Sequence, residues 1–452
     1  MRILLSGATG LIGKNFIRRA LREGHEVVAL VRRPEMFKML PKENIFAWSH
    51  EQVPPAEAFD GVQAVVHFAG AGVADKRWTS SRKNLIRESR LVGTRNLVKA
   101  IESLSEDRRP DVFVSGSAIG YYGYHRKEEM TEESPPGDDF LAHVCTDWEK
   151  EAQALESLGV RLVLARTGIV LSKEGGALAK MPPVVIGSGD QWFSWIHIDD
   201  MVGLLLFSIM TSTVKGPLNF VAPAPVHFGS LIRSLVDVRG YPAALYSPAF
   251  TVRLGLGEMA NALLSSLKVL SSKAESHGFQ FQFQEVNEAL ENLYSGTHYL
   301  DQVFVQDQFV PRTPKQVFPF FSRAENLEIL TPPFLNFKIV AKSSEEIQTG
   351  TLIDYRLRVH GVPISWRTLI QDWIPDKQFV DEQLKGPYSK WHHVHSFDSV
   401  VGGCLLRDEV TYRVPAHLLG KLALTGFILK DVKQIFSYRQ KKIEELVASN
   451  AI

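Results

Sequence analysis

The residues that could do chemistry begin at position 7. Gly7, Gly10 and Gly13 stand at three-residue intervals in MRILLSGATGLIGKNFIRRAL, directly after an apolar run and directly before a helix-like pattern. Each answers a different need at a strand-to-helix turn. Gly7 lets the chain leave the strand, Gly10 lets backbone approach a pyrophosphate without a Cβ in the way, and Gly13 lets the helix pack closely on the strand. The helix N-terminus then aims amide hydrogens and its positive dipole end at phosphate. The stretch therefore predicts a dinucleotide site. Where the second apolar run ends, at Val31-Arg32-Arg33, an NAD site usually offers Asp or Glu to the ribose 2′-hydroxyl. An arginine suits a 2′-phosphate instead, so Arg32 predicts NADP(H) in preference to NAD(H).

Other reactive side chains are scattered further along. Ser117, Tyr121 and Tyr122 follow an apolar run in VFVSGSAIGYYG, and His143 and Cys145 share the next helical pattern. In Trp391-His392-His393-Val394-His395, a strand would put His393 and His395 on one face and His392 on the other. Two same-face histidines without a nearby carboxylate suited to join them make a poor zinc site, so no metal is assigned and a hydrogen-bonding or ligand-orienting role is expected.

The elements that must position these groups fall into three blocks. Up to about residue 225, apolar runs (RILLSG, HEVVALVR, AVVHFAG, DVFVSGSA, VRLVLARTGIVL) alternate with amphipathic stretches. That alternation predicts an α/β, Rossmann-type doubly wound parallel sheet with helices on both faces. Residues 226–295 turn mostly helical, through LIRSLVDVRG and EMANALLSSLKVL, and are expected to form a cap. Residues 296–452 are rich in alternating strand patterns and close on a helix whose Ile428, Val432, Ile435, Phe436, Ile443 and Leu446 make one apolar stripe. The Asp199-Asp200 pair in WIHIDDMV is expected to cap a helix starting near Met201.

Bulk composition narrows the class. A length of 452 residues exceeds one ordinary core, and a hydrophobic share of 45% with a net charge of +1 describes a globular chain with no global field for nucleic acid. Two cysteines, Cys145 and Cys404, build neither a disulfide framework nor a paired zinc motif, which fits a reducing cytoplasm. The glycines interrupt the first apolar run too early for a signal peptide, and MVGLLLFSIM is half the length of a membrane span.

GATGLIG, VVHFAG, ADKRW (Ala74 to Trp78), SGSAIGYYG and WIHIDDMV, in this order and spacing, resemble the extended short-chain dehydrogenase/reductases, and more narrowly their atypical epimerase-like subgroup, over about residues 1–293. The resemblance implies a cofactor site of Gly7, Thr9, Gly10, Leu11, Ile12, Gly13, Arg32, Ala69, Gly70, Ser115, Arg166 and Thr167. It also implies a Ser that fixes substrate oxygen and a Tyr with a Lys four residues on, because a phenol of pKa about 10 needs a neighbouring cation to exchange protons near neutrality. Ser117 matches the Ser, but no tyrosine occurs between His125 and Gly240. The chain's Tyr-x-x-x-Lys is Tyr438 to Lys442, in the final helix, and Arg90 stands where the family's N-x-x-G-T pattern has Asn. Either the chemistry has moved, to Ser117, Tyr122 and His143 with Tyr121, Cys145, Asp75 and Arg77 as further candidates, or the domain binds cofactor without turnover.

The C-terminal block, through PRTPKQVFPFFSRAENLEILTPPFLNF, GTLIDYRLRVHGVPISWRT, FVDEQLKGPYSKWHHVHSF and the closing helix, resembles the START-like superfamily that includes polyketide cyclases. The resemblance implies an α+β helix-grip domain with an apolar cavity for a small hydrophobic ligand, lined by Tyr355, Trp366, Trp391 and His393. The expected protein is thus an NADP(H)-binding atypical reductase coupled to a hydrophobic small molecule, with a non-catalytic NADP(H)-dependent binding protein and a nucleoside-diphosphate-sugar epimerase as alternatives.

Overall fold

The computed structural model describes residues 1–415 and 417–452, with side chains at all of these but 180, 417–425 and 427. The chain forms two compact units, one of residues 1–37 and 42–297, the other of residues 38–41 and 298–452.

The first unit is built on seven strands: β1 (Arg2–Ser6), β2 (Glu26–Val31), β3 (Ile45–Ala47), β4 (Ala64–His67), β5 (Val112–Ala118), β6 (Arg161–Thr167) and β7 (Gly216–Phe220). They lie side by side, all parallel, in the order β7-β6-β5-β4-β1-β2-β3. The near-continuous apolar runs reflect burial on both faces. Leu4, Val65 and Phe113 pack on one face against Leu97, Ile101 and Ala152 of helices α2 (Ser80–Glu102) and α3 (Phe140–Gln153). On the other side of the alternation lie Ile3 and Leu5, also buried. Helix α1 (Leu11–Arg22) packs with α4 (Ile198–Met210). The chain changes direction of sheet growth at β1 and β4, the switch point where such sheets bind ligands beyond their carboxyl ends.

Two expectations need correction in this unit. The segment after β7 holds helices α5 (Phe228–Arg239) and α6 (Val286–Tyr294), but EMANALLSSLKVL divides into a short helix, Met259–Leu263, and a strand, Ser266–Val269. That strand pairs in parallel with His125–Met130, a partner invisible to local periodicity. The cap of α4 is His197, whose Nδ1 accepts from the Asp199 amide at 3.1 Å, rather than the aspartate pair. Asp200 is instead buried and accepts the amides of Gln282 and Phe283 at 2.8 and 3.0 Å, fastening the segment that leads into α6.

The second unit is a seven-stranded antiparallel sheet: β8 (Gln302–Val310), β9 (Lys338–Lys342), β10 (Leu352–Val359), β11 (Val362–Ile374), β12 (Gln378–Lys385), β13 (Lys390–Val400) and β14 (Gly403–Arg413), in the order β8-β14-β13-β12-β11-β10-β9. Helix α7 (Pro314–Phe321) and the long helix α8 (His417–Ala448) pack on it. Val432, Phe436 and Ile443 of α8 are buried, with Ile428, Ile435 and Leu446 half-buried beside them, so the apolar stripe covers the sheet. Each unit buries one cysteine, Cys145 on α3 and Cys404 on β14, and burial pushes both thiols up to about 12. Among the described residues no helix is long and apolar enough to cross a membrane.

Candidate functional site

The three glycines behave as distinct parts. Gly7 has φ +79°, and a Cβ there would lie 2.8 Å from the Phe68 carbonyl carbon. A Cβ on Gly13 would run into the Gly7 carbonyl oxygen and lie 2.8 Å from Ala8 Cα, so Gly13 packs on the turn itself. A Cβ on Gly10 would touch only the Gly7 oxygen, at 3.2 Å, and Thr9 and Gly10 are exposed. Helix α1 starts at Gly10 with no side-chain cap and no acidic residue in its first turn. Its first amides lack partners one turn back, leaving uncapped donors at a positive helix end. That open cradle fits the pyrophosphate of a dinucleotide.

The other residues read as cofactor-binding lie on α1, just past β2 and β4, and on β5 and β6. Leu11 and Ile12 are half-buried in the first turn of α1. The Ala69 amide donates to Ser6 Oγ at 3.3 Å, and Gly70 is exposed just past β4. Arg90 donates to the Ala71 carbonyl at 3.0 Å and to that of Ile86 at 2.9 Å, so the residue replacing the family's Asn clamps the loop after β4. Arg32 follows β2, next to β1 in the sheet, and is exposed without a polar partner among the described residues. Ser115 is fully buried within β5, Thr167 ends β6 with its hydroxyl donated to the Ala165 carbonyl at 3.1 Å, and Arg166 is buried.

Arg166 belongs to a closed polar network at the place where Ser117 and Tyr122 meet. Ser117 Oγ donates to Glu149 Oε1 at 2.6 Å, and Arg166 grips both oxygens of Glu149 at 2.9 Å each. Arg166 Nη1 also donates to Tyr122 Oη at 3.1 Å and to the Glu132 carbonyl at 3.0 Å, while Tyr122 Oη donates to Asn219 Oδ1 at 2.6 Å. The Tyr121 ring lies 3.5 Å under the guanidinium. Burial opposes charge on Arg166, but the Glu149 fork outweighs it and holds the cation. Burial likewise pushes Tyr122 up to about 12 despite the adjacent arginine. A phenol so placed exchanges no proton near neutrality. His143 is exposed on α3, away from this buried network, and the exposed Asp75 stands 3.6 Å from Arg82. Glu149 and Asn219, which complete the network, carry no local sequence signal. Only the fold, which buries Glu149 on α3 and Asn219 on β7 against the same groups, reveals them.

In the second unit, Tyr355, Trp366 and Trp391 pack ring on ring, at 5.8 Å between Tyr355 and Trp366 and 5.5 Å between Trp366 and Trp391. Large rings fill space efficiently, and these occupy the core expected to be hollow. A cavity of about 70 Å³ lies beside them, bordered by Phe321, Leu327, Ile353, Phe379 and, of the residues expected to line it, Tyr355. His393 and His395 do share a face, with His392 opposite them and 2.6 Å from Glu382. The expectation of no nearby carboxylate is overturned, because strand pairing brings Asp381 and Asp408 against both rings.

Comparison with known proteins agrees with this geometry in the first unit. The NAD dependent epimerase/dehydratase family matches residues 3–219, and a domain of unknown function (DUF1731) matches residues 247–293. The chain is 36% identical over 312 residues to the chloroplastic epimerase family protein SDR39U1 homolog of Arabidopsis thaliana, covering 64% of this chain and 86% of that protein. It is 31% identical to epimerase family protein YfhF of Bacillus subtilis, over 65% of this chain and 98% of that one. Among solved structures, human epimerase family protein SDR39U1, crystallised with NADPH, matches with TM-score 0.58 and 30% identity over 65% of this chain and 99% of that chain. A nucleoside-diphosphate sugar epimerase from Corynebacterium glutamicum matches with TM-score 0.53 and 29% identity over 66% of this chain and 59% of that chain. The glycine cradle, the strand order and this degree of identity together show that the chain belongs to the NAD dependent epimerase/dehydratase family.

Proposed function

We propose that the first unit binds NADP(H) at the Gly7–Gly13 cradle and that its chemistry does not run through the Tyr and Lys usual to short-chain dehydrogenases. The observation that carries this reading is Arg32, exposed at the end of β2, the strand next to β1, with no polar partner among the described residues. A 2′-phosphate would supply one. The NADPH in the similar human protein supports the same choice. Bound NADPH supplies a hydride. The chain's own groups hold the pyrophosphate on the α1 amides, pair Arg32 with the 2′-phosphate and keep the strand ends rigid through Glu149 and Arg166. Because Ser117 and Tyr122 spend their hydroxyl hydrogens on Glu149 and Asn219, the site favours cofactor-dependent binding over epimerisation or fast reduction. The second reading, an oxidoreductase for a hydrophobic carbonyl compound, needs a proton from solvent.

The second unit is read as a START-like ligand-binding domain, a reading supported by the long helix α8 packed on the antiparallel sheet and by a cavity lined from both. At about 70 Å³ that cavity is less than half of the roughly 150 Å³ apolar cavity that benzene occupies, so a hydrophobic ligand larger than a few atoms requires the surrounding side chains to move. A fused binding domain raises the effective concentration of a poorly soluble ligand.

Fluorescence titration with NADPH and NADH tests the cofactor. Selective NADPH binding is expected, and Arg32→Glu is expected to weaken NADPH by roughly 10–100-fold while leaving NADH nearly unchanged, the range for a lost charge-assisted contact. Binding of neither nucleotide overturns the reading, and a preserved preference in the variant assigns the 2′-phosphate to another group. Steady consumption of NADPH with hydrophobic carbonyl compounds would establish the oxidoreductase instead.

A further inference from the structure

The second unit carries a cluster that the dinucleotide site does not use. Asp381 on β12, His393 and His395 on β13 and Asp408 on β14 stand together across three adjacent strands, with Arg439 of α8 beside them. Asp381 Oδ2 lies 3.2 Å from His393 Nδ1 and 2.9 Å from His395 Nε2. Asp408 Oδ1 lies 3.0 Å from the remaining nitrogen of each ring, His393 Nε2 and His395 Nδ1. We propose that Asp381 Oδ2, His393 Nδ1 and His395 Nε2 form a three-ligand site for a divalent transition-metal ion, with Asp408 orienting both imidazoles.

Ligand spacing supports the site. Donor atoms about 2.0–2.2 Å from one ion and 90–109° apart are themselves about 2.8–3.6 Å apart; the two edges at Asp381 Oδ2, 3.2 and 2.9 Å, fall in that interval, and all three donor atoms lie within 4.8 Å of one another. Proton count supports it further. All four ring nitrogens face carboxylate oxygens, which only accept, so satisfying every contact by hydrogen bonds requires two buried imidazolium rings with centroids 3.7 Å apart. With an ion, the two nitrogens facing Asp381 turn lone pairs to the metal. The other two donate to Asp408, the outer arrangement that metal-bound histidines adopt, and both rings stay neutral. Arg439 Nη2, 3.2 Å from Asp408 Oδ1, then balances Asp408. The same nitrogen lies 3.1 Å from His395 Nδ1 and defines the competing arrangement, in which a neutral His395 accepts from Arg439, His393 alone is charged and no ion binds.

Access supports the proposal as well. Asp381 and His395 border the 70 Å³ cavity together with Tyr355 and Thr368, which leaves room for a few waters to complete the coordination. A donor set of two imidazoles and one carboxylate selects Zn²⁺, Fe²⁺ or Co²⁺ over Mg²⁺ and Ca²⁺.

The test uses the full-length protein, stripped with a chelator and re-equilibrated with Zn²⁺ or Co²⁺, with bound metal measured by elemental analysis and the Co²⁺ form by its visible spectrum. One ion per chain is expected, with a higher thermal midpoint on loading. Asp381→Asn and His393→Gln should lower the affinity at least tenfold with unchanged far-UV dichroism, whereas His392→Gln, on the opposite face, should retain it. Wild-type protein that takes up neither ion overturns the site in favour of the Arg439-centred network, whatever the variants do. Full retention by a folded Asp381→Asn variant also overturns it.

Discussion

At the residue scale, the glycine loop separates folding from binding. A Cβ on Gly10 meets only the Gly7 oxygen, at 3.2 Å, so Gly10→Val is expected to abolish nucleotide binding with a smaller loss of thermal midpoint than a side chain at Gly13. Gly13→Ala drives a methyl into the Gly7 backbone and is expected to lower both. Calorimetry and NADPH titration of the two variants check the contrast, and equal loss of stability in both would contradict it. His67 makes a second prediction. It is fully buried, with Ser6 Oγ 2.6 Å from Nδ1 and Thr94 Oγ1 3.0 Å from Nε2, and burial followed by the Arg90 charge lowers it to about 3. Its folded-state pKa lies below that of the unfolded chain, so its contribution is intact above pH about 6.5 and erodes as pH falls toward 3, by up to about 1.4 kcal/mol per pH unit. His67→Gln should flatten the acid limb of the first unit's denaturation profile between pH 6 and 4. An unchanged slope would assign acid sensitivity elsewhere.

Elements carry what single residues cannot. Glu149 comes from α3 and Arg166 from β6, and their fork ties helix to sheet in a buried setting. Removing one partner of a buried pair strands the other charge, so Glu149→Gln is expected to cost about 3–5 kcal/mol in chemical denaturation. A loss under 1 kcal/mol would mean that water reaches Arg166. This scale also shows where sequence reading succeeds and where it stops. Gly7, Gly10 and Gly13 were legible because strand, turn and helix follow one another within a dozen residues, and the alternation of His393 and His395 was legible because strand periodicity is local. Asp381 and Asp408 were not, because cross-strand register depends on hairpins formed elsewhere in the sheet. The Asp200 acceptor was misread for the same reason, since its partners Gln282 and Phe283 lie some eighty residues downstream. Aromatic alternation at Tyr355, Trp366 and Trp391 showed a buried face but could not tell filled core from cavity wall.

For the whole molecule, the division into two units with separate cores means that stability need not be lost in a single step. The distribution of sulfur turns this into something measurable. Cys145 is enclosed in the first unit and Cys404 in the second, each as a protonated thiol out of contact with solvent. Alkylating reagents attack the thiolate, so native protein should resist iodoacetamide at both positions. Peptide mass mapping during a denaturant ramp should then show carboxymethylation of each cysteine as its own unit opens. Two separated labelling midpoints would date the two openings independently, and coincident ones would make the chain a single cooperative block, so the protein carries one built-in clock in each half.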